Sequence, residues 1–354
     1  MATEVQEILP LTLDLPNGEG TVHDLIVPDL TAAEFFAGVG LVRMGLEASG
    51  WRVVFANDIS EKKQRMYAGF YPDAERHYIV RDIFELPSRS VPASVLATSS
   101  FPCIDLSLAG NMNGMMSGRH SSAFWGFVKI LEAKKDFSPP LVLVENVPGW
   151  LSSNGGTDFR ATVQALNKLG YVCDVFALDA LRFTPQSRLR IFLVGVKRPA
   201  RNLGAEMMFT RAKSLFPDRL RKCVANNLDL QWMYNELPHP PPLWTAGLAA
   251  IVENLDESDD RWWTDNEVER HLEMMDAPHR GRVSRLVSGE EFHYRTFFRR
   301  RRGGRQVAEV RKDDLAGCLR TAVGGSGKQF LVRAGAGVIR MRAMTEREYA
   351  RLQG

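Results

Sequence analysis

Lysine and arginine are missing from the first 42 positions of this 354-residue chain, and cysteines number only four. No stretch approaches the roughly 18 uninterrupted apolar residues that a membrane span requires. Each absence excludes something. Glu4, Glu7, Asp14, Glu19, Asp24 and Asp29 make the amino terminus acidic, which argues against a nucleic-acid arm there, and it lacks the basic and apolar regions of a secretion signal. Cys103, Cys173, Cys223 and Cys318 lie far apart with no CxxC pair, so neither a disulfide framework nor a zinc cluster is indicated and no metal is expected. A reducing, cytoplasmic compartment follows as the expectation. No internal repeat is visible.

What is present is an ordinary globular composition, 45% hydrophobic, long enough for a large core and for about two domains. The net charge of +3 is uneven: residues 1–200 hold 19 Lys and Arg against 21 Asp and Glu, and residues 201–354 hold 26 against 21. The basic excess is densest at Arg295, Arg299, Arg300, Arg301, Arg302 and Arg305. Interleaved with His293, Tyr294, Phe297 and Phe298, that run suits a phosphate-contacting surface.

From Thr31 a strand–helix rhythm begins, and successive strands end in groups suited to chemistry. Ala32-Ala-Glu-Phe-Phe36 runs into Ala37-Gly-Val-Gly40, and a helix follows over 41–49 with Leu41, Val42, Met44, Leu46 and Ala48 at helical spacing. Glycine after a strand allows a tight turn beside a ligand, and the helix start behind it offers free N–H groups. Trp51 to Ala56 is a strand ending at Asn57-Asp58, where nucleotide-binding α/β folds hold a ribose. A helix over 61–70 precedes a short strand at Tyr78-Ile-Val80 that ends at Arg81-Asp82-Ile83, where Asp82 either caps a helix or meets an adenine edge. Val95 to Thr98 is a buried strand halted by Pro102, which delivers Cys103 to a sheet edge. Gly110, Gly114 and Gly118 then mark a loop beside the thiol, and a helix follows over 121–134. Leu141-Val-Leu-Val144 ends at Glu145-Asn146.

A helix over 158–169 and a strand over 171–177 lead to Gln186, Arg188 and Arg190. Their alternation puts three donors on one side of an extended segment before the strand 191–196. Leu11, Leu13 and Leu15 suggest one further edge strand near the start. Beyond residue 200 the rhythm fades into charge, aromatics and proline, with one helix near 265–275, and Arg320 to Lys328 forms a phosphate-friendly turn.

With Phe36-Ala-Gly-Val-Gly40, Ser100-Phe-Pro-Cys-Ile-Asp-Leu-Ser107, Glu145-Asn-Val147, Gln186-Ser-Arg-Leu-Arg190 and Met344 to Gly354 in this order, residues 31–354 resemble the cytosine-5 DNA methyltransferases of bacterial and phage type. The resemblance implies an α/β fold with a doubly wound, Rossmann-like methyltransferase sheet and a second, smaller, irregular β-rich target-recognition domain. The division expected is an extension over 1–30, a catalytic domain over 31–199, the recognition domain over 200–330 and a return segment over 331–354. It implies S-adenosyl-L-methionine as cofactor, held by Phe36, Ala37, Gly38, Val39, Gly40, Asp58, Ile59, Asp82, Ile83 and Pro102. It also implies methyl transfer to C5 of a cytosine flipped out of double-stranded DNA.

Cys103, next to Pro102, would be the thiolate that adds to C6; Glu145 would hold N3 and the exocyclic amine of the base, with Asn146 beside it among the catalytic residues; Arg190 would meet its O2, with Arg188 in support. Arg299, Arg300, Arg302, Arg320, Thr321 and Ser107 are the expected DNA contacts. The protein is expected to act as a monomer, associated with the nucleoid, in a restriction–modification setting. The tRNA-methylating branch of the family and a non-catalytic DNA- or cofactor-binding relative remain as alternatives. Three departures accompany the resemblance: Ile104 stands where the family usually has Gln, Leu41 where a second Gly often follows, and the sequence stops before a closing Gly-Asn-Ser-Val-like turn, which implies either a shortened chain, or a separate partner segment that supplies the turn, or a weakened hold on the cofactor.

Overall fold

The computed structural model describes residues 29–102, 123–197, 204–319 and 328–354. Cys103, Ser107, the glycine-rich segment 109–120, Arg320, Thr321 and the strand expected near Leu11 lie outside the described residues.

Two sheets organise the chain. The larger has seven strands: β1 (Thr31–Phe35), β2 (Arg52–Asp58), β3 (Tyr78–Val80), β4 (Leu96–Ser99), β5 (Leu141–Asn146), β6 (Tyr171–Asp179) and β7 (Leu189–Lys197), in spatial order β3-β2-β1-β4-β5-β7-β6. The first five run parallel, whereas β7 is inserted antiparallel to both β5 and β6. The central strands carry small or branched apolar residues because both faces are covered; Ala32, Ala33, Ala97, Val142 and Val144 are all fully buried. On one face, α3 (Ala123–Lys134) contributes Phe124, Phe127, Ile130 and Leu131, and α4 (Thr157–Lys168) contributes Phe159, Val163 and Leu166 to the main core. Close contact dictates Gly126 on α3, since a Cβ there would sit 2.5 Å from Ile83 Cγ2.

The helix α1 (Leu41–Ala48) forms at the expected place with a different buried side. Leu41 and Met44 are 46% and 41% exposed, and Arg43 is the residue turned inward. The reason is electrostatic. Arg43 donates to Glu47, to the Tyr67 hydroxyl and to Asp73, and its guanidinium lies 4.0 Å from the centre of the Tyr71 ring. Tyr67 belongs to α2 (Glu61–Phe70), so this cluster fastens the two helices together.

The second sheet is antiparallel, built from β8 (His293–Arg302), β9 (Arg305–Val310), β10 (Phe330–Gly335) and β11 (Val338–Ala343) in the order β11-β10-β8-β9. The stacked rings of Phe297 and Phe330 lie at its centre, covered by Val268 of α6 (Asp265–Glu273) and Val283 of α7 (Ala277–Val287). No described helix is long and apolar enough to cross a membrane.

The expected boundaries at 199/200 and 330/331 do not coincide with the division of the cores. Residues from Ala205 to Trp232, including Leu220 and Val224 of α5 (Asp218–Ala225), are buried in the core of the large sheet. Residues 331–343 are strands of the small one. A buried ion pair makes the first attachment: Arg211 Nη1 lies 2.6 Å from Asp174 Oδ1 of β6, with both side chains almost wholly excluded from water. Composition alone could not show this, because the segment is charged where it meets a charged partner.

Breaking one side of such a pair strands a buried charge. Arg211→Met should destabilise the protein by about 3–5 kcal/mol, measured by urea unfolding. The loss should fall in the unfolding transition that reports the large sheet; a shift confined to a separate transition would restore a domain boundary at residue 200.

Candidate active site

The glycine turn follows β1. Gly38 and Gly40 have φ of 60° and 89°, and so does Phe36, at 60°, a left-handed conformation costing a non-glycine residue about 1–2 kcal/mol. Strain of this kind persists where surrounding contacts hold it. Here the hydroxyls of Tyr71 and Tyr78 donate to the carbonyls of Gly40 and Gly38 at 2.8 and 3.0 Å, and Gly38 N–H donates to Asp58 Oδ2 at 3.1 Å. A Cβ on Gly40 would strike Tyr71 Cε2 at 2.5 Å, whereas one on Gly38 would meet nothing nearer than 3.9 Å. The turn is therefore pressed against aromatic rings at one glycine and open at the other.

Asp58 is buried at the end of β2 and also accepts from Ser60 N–H and from Lys63 Nζ, both at 3.0 Å. Ile59 beside it is 67% exposed. Asp82 accepts from Phe84 N–H at 2.9 Å and so shapes a turn without capping a helix, while Ile83 is buried against α3. Glu34, which the sequence reading did not single out, is the unusual acid of this region. It is 1% exposed, neither carboxylate oxygen has a hydrogen-bond partner among the described residues, and its pKa is pushed up to about 8. Burial is the main cause, offset in part by the backbone N–H and charge of Arg43. The signal was available as a lone carboxylate inside an apolar strand.

The second half of the site stands at the ends of β4, β5 and β7. Antiparallel pairing sets Glu145 opposite Phe192, so Arg190, two residues earlier on β7, shares its face diagonally. Arg190 Nε lies 2.7 Å from Glu145 Oε1, with both side chains partly open to solvent. Asn146 is directed differently: its Nδ2 donates to the Phe101 carbonyl at 3.2 Å and its Oδ1 accepts from Val147 N–H, so it braces the segment ending at exposed Pro102. Cys103 is the next residue in the chain.

Gln186, Arg188 and Arg190 do share one side, and they converge on residues 318 and 319. Arg188 Nη1 donates to Cys318 Sγ and to the Leu319 carbonyl, each at 3.1 Å, and Arg190 Nη2 donates to Cys318 Sγ at 3.5 Å. Gln186 is fully engaged, accepting from Leu319 N–H and donating to the Leu352 carbonyl. Cys318 was counted in the sequence as one of four isolated thiols, and its distance along the chain hid its place here. Its pKa is lowered: burial alone would raise it, but the hydrogen bond from Arg190 and the charges of Arg188 and Arg190 prevail.

The basic run is divided in its own way. Arg300 and Arg302 both pair with Glu309, Arg299 lies over the Phe330 ring at 4.6 Å, and Arg301 and Arg305 have no side-chain partner among the described residues.

Comparison with known proteins follows this geometry. The profile described as C-5 cytosine-specific DNA methylase matches residues 30–354. A type II methyltransferase, M.HaeII, of Haemophilus aegyptius is 34% identical over 163 residues, 46% of this chain and 49% of that protein. The DNA-cytosine methyltransferase of Escherichia coli K12 is 28% identical over 230 residues, 55% of this chain and 48% of that one. The chain thus spans about half the length of the curated relatives it matches. In fold it is similar to the solved Entamoeba histolytica methyltransferase EhMeth, with a TM-score of 0.55 at 14% identity over 92% of this chain and 86% of that chain. With its profile matched from Leu30 to Gly354, the chain belongs to the C-5 cytosine-specific DNA methylase family.

Proposed function

We propose that this chain carries the catalytic machinery of a DNA (cytosine-5-)-methyltransferase acting on duplex DNA. The observation that carries the reading is the Arg190–Glu145 pair at 2.7 Å on the same sheet edge that leads, through Asn146 and Phe101, to Pro102 and the cysteine after it. A carboxylate and a guanidinium fixed side by side match the N3, amino and O2 edge of cytosine.

Cytosine C5 is a weak nucleophile. Addition of the Cys103 thiolate to C6 forms a C–S bond and makes C5 enamine-like, while Glu145 and Arg190 offset the charge that develops on the ring. Once C5 carries the new methyl group, loss of the C5 proton to a base and of the Cys103 sulfur as thiolate restores the aromatic ring. Because C6 is buried in a duplex, the base must first be flipped out, at an unstacking cost of a few kcal/mol.

S-adenosyl-L-methionine, when bound, supplies a methyl group on a sulfonium, an electrophile suited to an activated C5. The residues on β1 and β2 fit such a group: the turn is open at Gly38, Phe36 is held in a strained conformation, Asp58 stands at the strand end, and the orphaned Glu34 carboxyl invites a cationic partner. Ile59, Asp82 and Ile83 would line the adenine side, with Ala37, Val39, Gly40 and Pro102 around them. The exposed Leu41 and Met44 of α1 suit a further segment packing there. Phosphate contacts fall first to Arg301 and Arg305, because Glu309 already holds Arg300 and Arg302.

Methyl transfer from labelled S-adenosyl-L-methionine to mixed-sequence duplex DNA should mark cytosines within one short motif, and Cys103→Ala should abolish transfer while leaving DNA binding intact; transfer undiminished in that variant would sink the mechanism. Glu34 generates a second expectation. Its folded pKa of about 8 exceeds its ordinary 4.5, so the folded protein keeps a proton that the unfolded chain loses, and stability falls as pH rises through that window. Urea unfolding at pH 5 and pH 8 should show the fall, Glu34→Gln should not, and stabilisation by added S-adenosyl-L-methionine should grow toward pH 8 only when Glu34 is present. For the hairpin, Arg301→Ala or Arg305→Ala should weaken binding to all DNA sequences and reduce the salt slope by about 1 each, as measured by fluorescence titration.

A further inference from the structure

The short segment 315–319 returns from the small sheet and is tied down at nearly every residue. Thr296 Oγ1 donates to the Leu315 carbonyl, Ala316 N–H donates to the Pro185 carbonyl, and the Ala316 carbonyl accepts from Ser187 N–H. Gly317 N–H donates to Gln329, and Leu319 N–H to Gln186. Its only thiol is therefore held against Arg188 and Arg190 by backbone contacts on both sides.

A neutral thiol is a weak acceptor, yet two guanidiniums donate to this one sulfur, at 3.1 and 3.5 Å. Two arginines beside one carboxylate also leave an excess positive charge. The charged or polar groups around the sulfur are Arg188 and Arg190 themselves, the Leu319 carbonyl at 3.7 Å, which itself accepts from Arg188, Glu145 through Arg190, and Asp179, which accepts from Arg188 N–H at 2.8 Å and braces that residue's backbone. No carboxylate contacts the sulfur among the described residues.

We propose that Cys318 acts as a thiolate positioning residue, which bridges Arg188 and Arg190 and keeps Arg190 in line with Glu145. This deepens the methyltransferase reading and rests on it for its effect on turnover, though not for the state of the thiol. Cys318 touches neither base nor cofactor in this role; it balances the second guanidinium so that Arg190 can serve Glu145 and the substrate together. The two other described cysteines contrast with it. Cys173 and Cys223 are buried in the main core, and burial pushes both thiols up, Cys223 to about 11.

The test has two arms. In the first, the intact protein is alkylated with iodoacetamide across pH 6–10 and labelling is followed on the tryptic peptide 313–320, which separates Cys318 from Cys103. Half-maximal rate should fall below the free-thiol value of about 8.5, and Arg188→Gln should move it upward. In the second, Cys318→Ala should lower kcat roughly ten- to a hundredfold with KM for S-adenosyl-L-methionine unchanged, and Cys318→Ser, whose hydroxyl still accepts one bond, should recover part of the loss. A labelling midpoint at or above 8.5, or full turnover in Cys318→Ala, overturns the proposal. If the parent protein transfers no methyl group, the functional reading fails, while the labelling arm still decides whether the arginines hold a thiolate.

Discussion

The insertion of β7 antiparallel between β5 and β6 is the constraint on which the site depends. In a wholly parallel sheet the start of β7 would lie at the edge opposite the end of β5, a strand length from Glu145. Antiparallel pairing reverses that, and the register of Glu145 on Phe192 brings Arg190 within 2.7 Å of the carboxylate. Arg188, just before the strand, then reaches Cys318 and Leu319. One reversal of direction thus joins the end of a parallel strand, the start of an antiparallel one and the segment returning from the second sheet.

Around this edge the protein tolerates several unfavourable arrangements, each offset locally. Phe36 holds a left-handed backbone, the Glu34 carboxylate is buried with no hydrogen-bond partner among the described residues, and Arg43 is a buried cation. Arg43 is offset by Glu47, Asp73 and the Tyr67 and Tyr71 rings, and the hydroxyls of Tyr71 and Tyr78 hold the glycine turn behind Phe36. Glu34 has no such compensation beyond Arg43, which sets it apart as the group whose environment a ligand would complete. Departures from local rules concentrate at functional sites because a rigid surround can sustain them.

Much of this was legible in the residues. The positions of β1, β3, β5 and α2 follow from apolar runs and their terminators, and the polar groups at strand ends stand out because they interrupt buried sequence. Other features were not legible, for identifiable reasons. Helical spacing in α1 suggested an apolar buried side, but spacing cannot register that Arg43 finds an aromatic and acidic nest on α2. The charged stretch after residue 200 looked like the start of another domain, since only the fold shows Asp174 waiting for Arg211. The arginines of β8 looked equivalent, yet Glu309 occupies two of them and Phe330 a third.

By itself the sequence determined which groups stand at the ends of most strands, because burial on both faces favours continuous apolar residues, so that polar side chains, Glu34 and Asp174 apart, mark where a strand stops. It also determined the order of those groups, and with it the family. Only the tertiary structure decided which of them meet. Strand direction, register and the path of residues 315–319 set Glu145 against Arg190 and Cys318 against both arginines, and those relations depend on pairing between segments far apart in the chain, which no local pattern encodes.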